Sequence, residues 1–218
     1  MIVASWNCRG AGNRAFPQLI KDIVRRKNID ILCLIEPRIS GQKADKVVRK
    51  LGFSHWIRVE ATGFAGAIWV CWNEGDIKIE YISSTEQLLH CKVGRKNSNQ
   101  CGFVSFIYGE PNYLKRGNLW QTIRTIAEHT TDAWLLVGDF NVIRHPRDRV
   151  GGAVPNTNSM DAFNNCLEET GLVELRDPHD HFTWEREFIK EKLDWVFCNF
   201  QWENMFPHTA VKHDLAYK

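Results

Sequence analysis

The sequence predicts an α/β fold, a four-layer α/β sandwich of two mixed β-sheets flanked by helices. Three observations carry this reading. Two nearly unbroken apolar runs, Ile29–Ile35 and Ala133–Val137, have the pattern of strands covered on both faces. Amphipathic helical stripes alternate with strands near both ends of the chain. Between residues 53 and 111 the helical period disappears, and short strands follow one another across Gly- or Asn-containing turns. A purely parallel sheet cannot hold such hairpin-like neighbours, whereas two mixed sheets packed face to face with helices outside can.

Taken in order, Ile2–Trp6 reads as a strand, and Phe16, Leu19, Ile20, Ile23 and Val24 form one stripe of a helix. The strand Ile29–Ile35 follows, then a short helix over Gln42–Lys50 with Ala44, Val47, Val48 and Leu51 inward. Strands are expected at Phe53–Glu60, Ala65–Trp72, Ile77–Ser83, Gln87–Val93 and Gly102–Tyr108. Leu119, Ile123, Ile126 and Ala127 mark a third helix, and the strand Ala133–Val137 comes next. A polar, Gly/Pro-rich loop spans roughly 144–157. Met160, Phe163 and Leu167 mark a fourth helix, with Gly171 as its terminating residue. Phe182–Trp184 and Leu193–Phe197 complete the pattern as short strands. No repeat or linker divides the chain, so residues 1–218 are expected to form a single domain.

Composition narrows the classes. At 218 residues, 44% hydrophobic and 25% charged, the chain has the make-up of a globular protein, not of a disordered or collagen-like one. No stretch approaches the roughly 20 apolar residues of a membrane helix. The seven cysteines are scattered without zinc-type spacing, which favours free thiols, no disulfide-linked partner and a reducing compartment, nucleus or cytoplasm. Net charge is +2 overall, but residues 1–60 carry twelve basic and five acidic side chains, a sum of +7 that leaves −5 for the rest. A basic N-terminal face suits a polyanion, although solvated helix faces explain most of those side chains.

Chemistry concentrates at strand ends, where a rigid element holds a polar tip open to ligand. Asn7 closes the first strand in Trp6-Asn7-Cys8-Arg9-Gly10, and Glu36 closes the second in Leu34-Ile35-Glu36-Pro37. Tyr108 closes a middle strand in Ile107-Tyr108-Gly109, while Asp139 and Asn141 follow the next in Gly138-Asp139-Phe140-Asn141. Each alone has an ordinary turn-forming explanation. Their repetition at successive strand ends is what points to a site. A lone glutamate with waters is a normal Mg²⁺ ligand, and a second carboxylate can orient or deprotonate water. Amide and phenol donors suit charge shifting over phosphoryl oxygens. No Walker loop or dinucleotide fingerprint competes, since Gly10-Ala11-Gly12 lacks the following glycine.

With these motifs in this order, the chain resembles the exonuclease–endonuclease–phosphatase superfamily, and within it the endonuclease domain of plant LINE-type (non-LTR) retrotransposons. The likeness runs through Gly151-Gly152, Phe163, Gly171–Leu175, Phe182-Thr183-Trp184 and Leu193-Asp194. It implies Glu36 as metal ligand with Asn7 beside it, and Mg²⁺, or Mn²⁺ in its place, as the ion. It implies Asp139 as the water-activating carboxylate, Asn141 and Tyr108 as phosphate contacts, and Asp194 as a supporting carboxylate. Arg9 and Arg38 are candidate contacts to backbone phosphates. Two departures stand out. Trp195 occupies a position usually basic in this subgroup. The closing Ser-Asp-His motif is absent, and His213-Asp214 has the reverse order, so His213 is not expected to be the catalytic histidine. The chain ends about where that motif should begin, and the domain is expected to be cut short at its C-terminus.

The function the resemblance implies is a Mg²⁺-dependent phosphodiesterase that nicks DNA, monomeric and without a membrane partner, weakened by the missing motif. Two alternatives stay open: a catalytically dead transposon-derived relic or nucleic-acid-binding module, and a phosphatase or exonuclease of the same superfamily.

Overall fold

The protein is described from a computed structural model covering residues 1–60, 67–98, 100–178 and 182–214. It divides into two compact units, residues 1–108 and 109–218. Both contain strands and helices, giving the α/β class with mixed sheets and flanking helices that the sequence predicts.

The first unit runs β1 (Val3–Asn7), α1 (Phe16–Lys27), β2 (Ile31–Ile35), α2 (Gly41–Val48), β3 (His55–Val59), β4 (Ile68–Trp72), β5 (Ile77–Thr85), β6 (Leu88–Arg95) and β7 (Cys101–Tyr108). One sheet has the order β1-β2-β4-β3, with β1 and β2 parallel and the other pairs antiparallel. Every residue of β2 and β4 is buried, which is why β2 reads as a nearly unbroken apolar run. Leu32 and Leu34 of β2, with Trp69 and Cys71 of β4, form one core with Phe16, Ile20 and Ile23 of α1 and Ala44 and Val48 of α2. β5, β6 and β7 form an antiparallel meander. β5 extends two residues past its expected end because a bulge between Tyr81 and Ser83 carries the pairing on. The expected strand start at Ala65 and Gly66 lies outside the described residues.

The second unit runs α3 (Gly117–His129), β8 (Trp134–Asp139), a 3₁₀ turn (Pro146–Asp148), β9 (Arg149–Val150), α4 (Thr157–Thr170), β10 (Val173–Glu174), β11 (Trp184–Arg186), β12 (Ile189–Glu191), β13 (Asp194–Cys198) and α5 (Phe200–Met205). β13 pairs antiparallel with β8 and with β10. A small third sheet, β11-β12-β9, was not expected from sequence. Its hairpin turns through Glu187, at φ 55°, with no glycine, asparagine or proline to announce it. The expected strand over Phe182–Trp184 is displaced to Trp184–Arg186, and Thr183 instead uses its hydroxyl to accept from the Leu193 and Asp194 N–H groups, both at 3.0 Å. α4 starts on an Asn156 side chain that accepts from Ser159 N and ends on Gly171 at φ 65°, the terminating role assigned to it. α5 escaped notice because six residues with one buried side chain, Trp202, show no helical period.

The core of this unit is aromatic. Phe163 of α4 is fully buried, stacks on Trp120 of α3 with ring centroids 4.9 Å apart, and meets Phe140 and Phe197 at 5.4 and 5.6 Å. All seven cysteines are free thiols. Among the described residues no helix is long and apolar enough to cross a membrane.

Two outcomes follow for stability. Phe163→Ala removes the ring shared by α3, α4, β13 and Phe140 just after β8, and urea unfolding should show a loss of roughly 3–5 kcal/mol with the m-value unchanged. The second concerns His90 on β6, buried with its Nδ1 2.8 Å from the Ser105 hydroxyl and its ring stacked on Phe103. Burial pushes its pKa down from 6.5 to about 4. The unfolded chain takes up this proton below about pH 6.5, and the folded chain only near pH 4. Stability should therefore fall by about 3 kcal/mol as pH drops through that window. His90→Gln should flatten the slope above pH 5; an unchanged slope would assign it to other groups.

Candidate active site

In the first unit the parallel register sets Asn7 beside Ile35, so the ends of β1 and β2 reach the same edge. Glu36 leaves that edge at φ 52°, and Arg9 and Arg38 share the left-handed conformation at φ 47° and 53°. Such backbone is uncommon outside glycine and accompanies ligand clamps when it clusters. Three side chains converge on Glu36. The Tyr108 hydroxyl, at the end of β7, donates to Oε1 at 2.7 Å, and Asn7 Nδ2 lies 3.4 Å from the same oxygen. Arg38 donates to Oε2 through Nε at 3.1 Å and Nη2 at 2.6 Å. Burial raises the Glu36 pKa, but the hydrogen bonds from Tyr108, Arg38 and Asn7 outweigh it, so the carboxyl titrates below its ordinary value. Glu36 is thus an anion at neutral pH. Asn7 Oδ1 accepts from the Arg9 backbone N–H at 3.3 Å. Cys8, next along, is no nucleophile, since burial pushes its thiol up to about 11.

In the second unit Asp139 ends β8 and stands directly opposite Asp194, the first residue of β13. Asp139 is buried, and its Oδ1 accepts from Asn141 N at 2.9 Å. Asn141, at φ 51°, donates through Nδ2 to Gly109 O at 2.8 Å. Gly109 in turn donates its N–H to Asp139 O at 2.7 Å. The loop therefore closes on itself through Gly109, Asp139 and Asn141.

One buried charge beside these residues escaped the sequence reading. Arg116, beside Lys115 and Gly117, looks like an ordinary solvated charge but is buried. Its Nη1 donates to the carbonyls of Glu110, Pro111 and Asn141, and its Nη2 to Ser159 Oγ on α4. Burial lowers its pKa to about 10, against the opposing pull of Asp139 and Glu110, and it stays charged at neutral pH. A single guanidinium thus holds the Asn141 loop. Only a Ser-to-Arg partnership 43 residues apart could have revealed it, and no local pattern encodes that.

The structure brings Asn7, Glu36, Arg38 and Tyr108 into one hydrogen-bonded set, and Asp139 and Asn141 into another with Asp194 across the ladder. Trp195 is not a surface residue. Its indole donates to Val142 O at 2.9 Å and its ring faces Phe197 and Phe163, so a core packing role replaces the missing basic contact. His213 N donates to Asp177 Oδ2 at 2.7 Å, and its Nδ1 lies 3.7 Å from the same oxygen.

The carboxylate of Glu36 and the amide oxygen of Asn7 are hard oxygen donors of the kind Mg²⁺ takes. Among the described residues no three His, Cys, Asp or Glu side chains cluster into a cage, so an ion held here would keep several waters. With Oε1 and Oε2 both accepting hydrogen bonds, such an ion competes with Arg38 for Oε2. The donor set fits the ion on those terms.

These features define the class: an α/β protein with carboxylates, amides and a phenol at its strand ends. The sequence model of the endonuclease/exonuclease/phosphatase family matches residues 4–202, and the chain belongs to that family. Enzymes of this family are hydrolases of phosphodiester bonds and generally use divalent metals. The fold is similar to the endonuclease domain of TRAS1, a telomere-specific non-LTR retrotransposon, with TM-score 0.69 and 15% identity over 91% of this chain and 84% of that one. An AP endonuclease from Archaeoglobus fulgidus matches with TM-score 0.66 and 15% identity over 91% and 87% of the two chains. The 3'-5' exonuclease NExo from Neisseria meningitidis matches with TM-score 0.67 and 16% identity over the same shares, 91% and 87%. No curated protein sequence matches the chain.

Gly109 tests the loop geometry. A Cβ there would sit 2.2 Å from Phe140 O, so Gly109→Ala must displace the segment carrying Asp139 and Asn141. The expected cost is about 1–3 kcal/mol in thermal or urea unfolding. An unchanged midpoint would show that the loop yields freely.

Proposed function

We propose that the chain is a Mg²⁺-dependent phosphodiesterase that nicks DNA, of the retrotransposon-endonuclease type. The observation that carries this is Glu36, kept anionic at the joint edge of β1 and β2 by Tyr108, Asn7 and Arg38. Mg²⁺, or Mn²⁺ in its place, would be held by Glu36 with the Asn7 amide oxygen, and when bound it supplies charge neutralisation at a phosphate oxygen. Asp139 orients a water and accepts its proton as the water oxygen bonds to phosphorus, the ester P–O bond breaks and the leaving oxygen takes a proton from solvent. Asp194, opposite Asp139 on the ladder, would serve as a further carboxylate towards the metal or its bound waters. The Asn141 amide donates its second N–H to a phosphoryl oxygen, the Tyr108 phenol turns its one proton from Glu36 to the phosphate when substrate binds, and Arg9 and Arg38 hold flanking backbone phosphates. Seven free cysteines support a reducing compartment, nucleus or cytoplasm.

The test is nicking of supercoiled plasmid with Mg²⁺, with and without EDTA, by the chain and by Glu36→Gln, Asp139→Asn and the double variant. Each single substitution should cost at least about 100-fold in rate. The double should cost little more than the worse single, because both serve one step. Residual activity equal in the chain and in Asp139→Asn would overturn the enzymatic reading in favour of a binding module. Release of phosphate from small esters, or digestion confined to DNA ends, would move the activity to the phosphatase or exonuclease branch.

A further inference from the structure

A group of four cations lies in the part of the chain whose charge sum is negative. Arg144, Arg147, Arg176 and Lys192 line a cleft of about 300 Å³ in the second unit, together with His145 and the carboxylates Asp148, Glu174 and Asp177. Three of these cations share one carboxylate. Lys192 Nζ donates to Glu174 Oε1 at 2.7 Å, Arg144 Nη1 to Oε2 at 3.1 Å, and Arg176 Nε lies 3.2 Å from Oε2. One negative charge cannot balance three positive ones. Even with Asp148 and Asp177 counted, the lining keeps one positive charge in excess before His145 is considered. Asp148 Oδ2 is taken up by the backbone N–H groups of Arg144 and His145, and Asp177 Oδ2 by that of His213.

The cleft is built, not adventitious. The Lys192 side chain is only 8% exposed, and its Nζ lies 4.4 Å from the centre of the Trp195 ring. Arg144 is fixed through Nε to Asn164 Oδ1 and lies over the Trp195 and Phe197 rings at 5.9 and 5.7 Å. Among the described residues this leaves its second terminal nitrogen for a ligand. Arg176, with its side chain 65% exposed, forms the open rim. Trp195 itself is 2% exposed, so its ring is not offered for a base to stack on. The chemistry recognised is therefore an oxyanion, bound through forked guanidinium donors.

We infer that this cleft is a second phosphate subsite, which binds a backbone phosphate of the nucleic acid beside the one attacked at Asp139. This rests on the DNA-nicking reading above. Position supports it: Lys192 lies two residues, about 7 Å of extended chain, before Asp194, which stands opposite Asp139. Arg144 lies three residues after Asn141. A phosphate here orients the strand without reading its sequence.

The experiment uses the Asp139→Asn chain in EDTA, so that binding is read without hydrolysis. The probes are inorganic phosphate and a short DNA duplex, and the readouts are the Trp195 indole N–H resonance, assigned with Trp195→Phe, and the dependence of log Kd on log salt. Both probes should shift the resonance. The double variant Arg147→Gln/Arg176→Gln, at the rim, should keep its thermal midpoint, lower the salt slope by about 1 to 2 and weaken DNA binding about 3- to 30-fold at 0.1 M salt. An unchanged slope and resonance would overturn the proposal and leave the cleft as an internal ion-pair network. A response to phosphate but none to DNA would overturn it as well. DNA binding that depends on Arg147 and Arg176 in a chain that never nicks DNA supports the subsite and defeats only the catalytic reading.

Discussion

The parallel pairing of β1 with β2 is the constraint on which the candidate site depends. Parallel neighbours end at the same edge of a sheet, and the Asn7–Ile35 register makes Asn7 and Glu36 adjacent although 29 residues separate them. Charged residues clamp that register from both ends of β2. Asp30 precedes β2 and its carboxylate accepts from Ile2 N at 2.6 Å; Glu36 follows it and meets Tyr108 and Arg38. A slip by one residue would drag one of these carboxylates into a core with no room for it. The helix that makes the crossover, α1, buries Phe16, Ile20 and Ile23 on the same sheet, so the packing of the helix and the placement of the site have one cause.

The second unit meets its requirement differently. Its polar residues are held by loops at the ends of antiparallel strands, and loops need anchors. Arg116 supplies one from below, through three carbonyls and Ser159, and Gly109 supplies another by allowing backbone to approach Phe140 where no side chain would fit. Around Glu174 the same device recurs with the signs reversed: one buried carboxylate gathers three cations. Burial works against its ionisation, but Lys192, Arg176 and Arg144 hold the pKa of Glu174 below its ordinary value, so the cluster remains charged through the neutral range.

What was legible in the sequence follows from what has a short period. The doubly buried runs of β2 and β8, the strand β4 and the stripes of α1, α3 and α4 appear with ends shifted by a few residues, because burial imposes a local pattern. Asn7, Glu36, Tyr108, Asp139 and Asn141 were readable because strand ends punctuate such runs. Arg116 and Glu174 were not, since their partners lie 43 and 18 residues away and their own surroundings look solvated. The Glu187–Phe188 turn was missed for the lack of turn chemistry. Residue 195 shows the other limit: a tryptophan in place of a cation looked like a lost surface contact, while in the fold it lies beneath Lys192, whose ammonium sits 4.4 Å above the ring.

The pairing of β8 with β13 carries a consequence for synthesis in the cell. Residues 140–193 separate the two strands, so at roughly 5–20 residues per second β8 leaves the ribosome several seconds before its partner. During that interval the edge that will receive Asp194–Cys198 stands open in the nascent chain, next to apolar Trp134, Leu135 and Leu136. Asp194, opposite Asp139, is thus the last carboxylate to arrive at this ladder. Until it does, Asp139 marks the end of a strand with an unpaired edge, and conditions that slow translation through this stretch lengthen the exposure.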